Sequence, residues 1–241
     1  MERKQFLLVS QKDAERGAAQ FYAKEKQKYA AKAALNPDMT QTARVRNIAQ
    51  NLIHQVGVFR PDARNWQWEV NVLQSNELNA YCAAGGKIAV YSGLIEKLEL
   101  SDDELASVMG HEIAHALREH SREAMSQAMA QQMGIAVLGM ALNMGSLSQA
   151  VLDNATTVAI QLPNSRAKEI EADRIGLELT ARAGYDPSGA VSVWGKMMAS
   201  GGAHPPQFLS THPNPESRMQ DIENYLPLVM PLYEKARKAR K

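Results

Sequence analysis

Apolar positions recur along the chain with two different periods. From Ser10 to Ala34 the sequence is polar apart from Phe21, Tyr22 and Tyr29, which share one side of a predicted helix. Pro37 disfavours helix at Asn36 and ends that segment. Thr42 to Val56 places Val45, Ile48, Leu52 and Ile53 at helical spacing, and Pro61 closes the region. The pattern then alternates. Trp66, Trp68, Val70 and Val72 face one way and Gln67, Glu69 and Asn71 the other, as in a half-buried strand. "NAYCAAGG" follows, with Gly85-Gly86 as a turn signal, and Lys87 to Ser92 is β-branched and aromatic enough for a further strand. A small hairpin-like sheet is expected before the long helices.

Helical periodicity resumes at Ser101-Asp102-Asp103-Glu104, a capping box with a hydroxyl at the N-cap and a carboxylate three residues on. The helix it opens turns Leu105, Val108, Met109, Ile113 and Leu117 inward. Ser165 to Ala183 reads as another helix, stopped by Gly184, and Asp186-Pro187 opens one ending near Gly201. "GGAHPPQFLSTHPNP" is a Pro/Gly-rich loop, Asn214-Pro215 starts a last amphipathic helix, and "YEKARKARK" reads as a solvated basic tail. There is no internal repeat. The pattern implies a mainly α protein with a small β-sheet, an α+β fold.

Composition narrows the function without naming it. In 241 residues, 45% are hydrophobic, enough for a real core, and the net charge of +1 gives no field pointing to nucleic acid. The single cysteine, Cys82, excludes an internal disulfide and reads as a buried thiol. The apolar run Phe6 to Val9 is shorter than the roughly 7–15 residues of a secretory h-region. The chain as given is therefore expected to be either intracellular or a mature form whose leader has been removed. Met125 to Leu152 is the least charged stretch. Its apolar centre, Met133 to Met144, is too short to span a bilayer, which takes about 20 residues, so a buried or membrane-touching helix is expected.

One segment carries chemistry. "HEIAH" puts His111 and His115 four apart on a helix, one turn up the same face, where two imidazoles can aim at a common ion. Glu112 lies beside them and is placed to act as general base. His120 is off that face by spacing and reads as either a support for a ligand or a surface residue. A catalytic zinc needs a third protein ligand. The best source is "NSRAKEIEADRIG", where Glu169 and Asp173 are i and i+4. Glu169 can complete a His, His, Glu site, and Asp173 can accept the free N–H of a ligand imidazole. Glu171, about 200° around the helix from Glu169, is expected to face solvent. Ala172 and Gly176 suit a close helix–helix approach. His54 and His204 carry no signal.

"HEIAH" followed by "SRAKEIEADRIG", with "NAYCAAGG" upstream and "STHPNPESR" downstream, resembles the HtpX-like and CAAX-prenyl-protease family of zinc metallopeptidases. The likeness runs from about Trp66 to Tyr225 and is strongest to soluble bacterial envelope members, often lipoproteins. It implies a gluzincin-type fold, one zinc ion on His111, His115 and Glu169, Glu112 as catalytic base and Asp173 as the aspartate of the second motif. It also places His212 and Arg218 near the cleft. Arg218 is then a substrate or structural clamp. His212 is a transition-state helper, a ligand that reaches the open zinc position and shuts the enzyme off, or simply a helix-cap histidine. Where the family usually has phenylalanine and proline upstream, this chain has Tyr81 and Ala84, so cleft specificity does not transfer.

Together these readings give N-terminal helices over 1–60 packing on a zinc metallopeptidase domain over 61–228, then a basic tail over 229–241. The expected activity is hydrolysis of extended or misfolded proteins in bacterial envelope quality control, with membrane-surface association and no nucleic-acid partner. The envelope localisation is periplasmic or lipoprotein-anchored, with a cytoplasmic one left open. Asn79, Ala80, Tyr81 and Cys82, up to Ala84, are either an edge strand that binds substrate by β-augmentation or plain sheet core. The rival from another class is a chaperone-like binding protein with a gated or structural zinc.

Overall fold

The computed structural model describes residues 3–141, 155–157, 159–160, 163–200, 207–213 and 215–239. His204 and much of the Met125 to Leu152 segment lie outside them. Helix α1 (Gln11–Ala30) is capped by Ser10, and α2 (Met39–Ile53) by Asp38, whose carboxylate accepts from the Thr40 and Gln41 N–H groups. Between them Asn36 adopts a positive φ of 51°. Its side-chain oxygen accepts from the Val72 N–H and its amide donates to Asn71, pinning the connection to the sheet.

The sheet has three strands, β1 (Glu69–Leu73), β2 (Ala80–Ala83) and β3 (Lys87–Tyr91), in the order β1-β3-β2. The hairpin joins β2 and β3 across Gly85-Gly86, whose φ values of 75° and 82° supply the tight turn. β1 instead pairs parallel to β3, Val70 opposite Ile88 and Val72 opposite Val90, so a simple hairpin of the two outer apolar runs is not what forms. The strand also starts later than the alternation suggests. Trp66 and Trp68 follow a 3₁₀ turn (Pro61–Asn65), and the Trp68 indole N–H donates back to its Ala63 carbonyl.

Both faces of the sheet are covered. Val72, Cys82, Ile88 and Val90 enter the main core with α2 and the later helices. Tyr81, Ala83, Ala89 and Tyr91 lie under α1 with Tyr22 and Tyr29. That second cover explains why Asn71, on the expected polar face, is buried. Its amide donates to the Tyr22 hydroxyl, which itself donates to the Ile88 carbonyl.

After a short helix α3 (Ser92–Lys97) the chain enters α4 (Asp102–Leu117), with the complete capping box between Ser101 and Glu104. Glu104 also accepts from Lys196, tying the start of α4 to a later helix and holding its carboxyl down at about 2 despite burial. Leu105, Val108, Met109, Ile113 and Leu117 are all buried, each contributing about 1.5–3 kcal/mol of hydrophobic stabilisation. Helix α5 (His120–Ala141) follows a break at Glu119, whose φ is 54°. Then come α6 (Arg166–Arg182), α7 (Gly189–Ala199), the short α8 (Gln207–Thr211) inside the expected loop, and α9 (Pro215–Ala239). The helix α9 runs through the residues expected as a frayed tail, and Val229 is buried in the main core. No helix among the described residues is long and apolar enough to cross a membrane.

Helices α4 and α6 meet backbone to backbone. A Cβ on Gly176 would stand 2.8 Å from the His111 backbone nitrogen, and one on Gly110 would stand 2.9 Å from the Gly176 carbonyl oxygen. Two glycines thus let the helix bearing the histidines lie against the helix bearing Glu169 and Asp173.

Candidate metal centre

That close approach brings side chains from three elements to one point. The Nε2 atoms of His111 and His115 are 3.0 Å apart. Glu169 places Oε2 3.5 Å from His111 Nε2 and Oε1 3.3 Å from His115 Nε2. His212, just after α8, puts Nδ1 3.1 Å from His111 Nε2 and 3.1 Å from each Glu169 oxygen. One donor atom from each of these four residues lies within 4.8 Å of the others, and all four side chains are buried.

The donor set fits zinc. Ligand atoms about 2.0–2.2 Å from a tetrahedral ion stand about 3.3–3.6 Å apart, close to the separations here. Proton placement points the same way. His111 Nδ1 is 3.0 Å from Asp173 Oδ1, so Nδ1 carries the proton and the Nε2 lone pair faces the cluster. A lone pair, a second ring nitrogen and a carboxylate then converge where only a positive charge relieves their repulsion. The same field favours a proton on His111. Burial lowers its basicity, but the bonds to Asp173 and Glu169 outweigh that and push it up to about 9. Burial holds His115 well below the usual imidazole range. Burial would raise the Glu169 carboxyl, but His212 and His115 hold it far below the usual range.

Glu112 sits next to this point, outside the set of converging donor atoms. Its Oε1 is 3.3 Å from His212 Nε2 but lacks a hydrogen-bond donor among the described residues. Burial raises its carboxyl above the ordinary value. A buried carboxylate with an unused oxygen beside a cation site is placed to take a proton from water.

Arg218 is wholly buried, and its guanidinium is engaged with the Glu169 and Asp173 carboxylates of α6. It donates to Asp173 through Nε at 2.8 Å and Nη2 at 2.6 Å, and its Nη1 lies 2.5 Å from Glu169 Oε2. Its guanidinium packs 4.2 Å from the Trp194 ring centroid, and it outweighs burial in keeping the Asp173 carboxyl low. His212 stacks on Phe208 at 4.3 Å. Asn79, Ala80, Tyr81 and Cys82 line a cleft with Glu112, His115 and His212, and Ala80 to Cys82 lie on β2, the edge strand of the sheet on that side. Burial pushes the Cys82 thiol up, as an inert core cysteine requires.

The expectation for Glu171 is overturned. It is buried, not solvent-facing, because it accepts from Arg118 at 2.7 Å and lies 3.0 Å from His120 Nε2. Helical angle alone could not show this, since the neighbours come from the end of α4, the start of α5 and the segment before α1. His120 is equally buried, and its Nδ1 is 2.8 Å from His115 Nδ1. Its five-residue offset from His115 misleads because Glu119 breaks the helix and turns His120 back. His54 is exposed beyond the end of α2.

Residues 39–226 match the family model described as Peptidase family M48. Among individual proteins, the chain is 39% identical over 151 residues to mitochondrial metalloendopeptidase OMA1 of Arabidopsis thaliana, covering 63% of this chain and 30% of that protein. It is 36% identical over 165 residues to the protein of the same name from Schizosaccharomyces pombe, covering 67% and 47%. It is 31% identical over 162 residues to the beta-barrel assembly-enhancing protease of Escherichia coli K12, covering 64% and 33%. The chain thus spans less than half the length of each of these relatives.

Proposed function

The chain belongs to peptidase family M48, and from that premise we propose that it is a zinc-dependent endopeptidase cleaving extended or misfolded proteins. The observation that carries this reading is the convergence of His111, His115 and Glu169 beside a buried Glu112 oxygen that accepts no hydrogen bond among the described residues. The two imidazoles and the Glu169 carboxylate would hold the ion, Asp173 orienting His111 and Arg218 anchoring both carboxylates. Bound there, zinc would polarise a carbonyl and lower the pKa of water toward neutrality. Glu112 takes the proton of the attacking water and delivers it to the leaving amine. Edge strand β2 offers main-chain groups to an extended peptide, a mode of binding that ignores sequence and suits unfolded substrates. The reading predicts casein cleavage that a chelator abolishes and one equivalent of zinc restores. Cleavage indifferent to chelation would contradict it.

Similarity to a protease named for enhancing β-barrel assembly supports a role in protein quality control of the bacterial envelope. The OMA1 relatives are named mitochondrial, so the support is for the peptidase role first and the compartment second.

His212 favours a gated site. Its Nδ1 shares the donor cluster, and a neutral imidazole there would take the position a substrate carbonyl needs. Replacing His212 with Ala should then raise the casein-cleavage rate, read as initial velocity at saturating zinc. An unchanged or lower rate would remove the gate, and a lower one would make His212 a helper in the reaction.

A further inference from the structure

His111 and His115 are supported differently. His111 has a carboxylate directly on its Nδ1, whereas His115 Nδ1 faces another imidazole, that of His120, at 2.8 Å. His120 is 1% exposed, and its Nε2 is 3.0 Å from Glu171 Oε2. Glu171 in turn is held by Arg118 through two contacts of 2.7 Å and by Arg3 at 3.4 Å. Arg3 is itself fixed by Glu123, with its two terminal nitrogens donating at 2.8 and 2.7 Å.

Only one arrangement of protons on neutral rings satisfies this chain. The Glu171 carboxylate has no proton to give, so His120 Nε2–H donates to it. His120 Nδ1 then carries a lone pair, and His115 Nδ1–H donates to that. His115 Nε2 is left as a lone pair, pointing at His111 Nε2 and Glu169. The opposite tautomer would set a ring lone pair against the Glu171 carboxylate. Hydrogen bonding at one ring nitrogen decides which atom of the other is free to ligate. Glu171, two residues after Glu169, projects away from the ion. His120 bridges the gap, placed there by the positive φ at Glu119.

We propose that Glu171 and His120 form a positioning relay that fixes His115 as its Nδ1–H tautomer and so presents Nε2 to the metal. Arg118 and the N-terminal Arg3 hold the outer end of the relay. This rests on the zinc reading above, because His115 must be a ligand for its tautomer to matter.

The test compares the unmodified full chain with His120→Ala, His120→Asn and Glu171→Gln. Zinc affinity is read by chelator competition, and the His115 tautomer by ¹⁵N imidazole spectra of the zinc-free protein. The relay predicts Nδ1–H at His115 in the unmodified protein and a population of Nε2–H in His120→Ala. It predicts zinc affinity lower by about 10–100-fold in His120→Ala, most of it regained in His120→Asn, whose carbonyl can stand in for the acceptor. Glu171→Gln should fall between the two. A merely structural role for His120 would not move the tautomer. Zinc bound equally tightly by the unmodified protein and His120→Ala, or Nε2–H at His115 in the unmodified protein, overturns the relay alone. No zinc binding by the unmodified protein overturns the metal reading beneath it, and the relay with it.

Discussion

Glu112→Gln is expected to lower casein cleavage by about 10²–10⁴-fold while leaving zinc bound at one equivalent. The substitution keeps the size of the side chain and removes its ability to accept and return a proton. Glu112 lies beside the cluster, with His212 Nε2 3.3 Å from its Oε1. Its Oε1 has no hydrogen-bond donor among the described residues, and it stands outside the set of converging donor atoms. Loss of its charge should therefore cost little in stability or metal affinity. The check is the initial cleavage rate alongside metal content by atomic emission. Retained activity would strip Glu112 of its role as base, and lost zinc would make it a ligand instead.

Glu169→Gln should have the opposite signature, losing metal and activity together. Glu169 is fully buried and touches all three histidines of the cluster as well as Arg218. If three ligands share the roughly 10–16 kcal/mol typical of a protein zinc site, removing one costs about 3–5 kcal/mol, or about 10²–10⁴-fold in affinity. The variant also leaves Arg218 with Asp173 as its one remaining close carboxylate, and breaking one arm of a buried ion pair costs about 3 kcal/mol in stability. Equilibrium dialysis with zinc and the urea midpoint of the metal-free protein read the two effects separately. Unmodified zinc affinity in Glu169→Gln would remove it from the ligand set.

The helices were legible in the sequence because local rules specify them. Ser101 and Glu104 form the capping box that their spacing announces, and Leu105 to Leu117 keep one apolar stripe inward. The small residue Gly176 was readable as a contact point, since only a missing side chain permits that separation from the His111 backbone. Features set by non-local packing were not. The parallel pairing of β1 with β3 depends on β3 lying between the other two strands, and a period of two does not encode that. Asn71 looks solvent-facing until α1 is known to cover the second face of the sheet. At the site, His111, His115 and Glu169 follow from helical spacing plus one helix contact. The relay through His120 and Glu171 does not, because it needs the backbone reversal at Glu119 and an arginine from the third residue of the chain. A helical wheel assigns Glu171 a direction correctly and its environment wrongly.

The measurement that tests the account most directly is anomalous diffraction at the zinc edge from crystals of the unmodified protein grown with one equivalent of zinc. One peak per chain is expected, within about 2.0–2.2 Å of His111 Nε2, His115 Nε2 and a Glu169 oxygen. A peak elsewhere, or none at the junction of those three side chains, would contradict it.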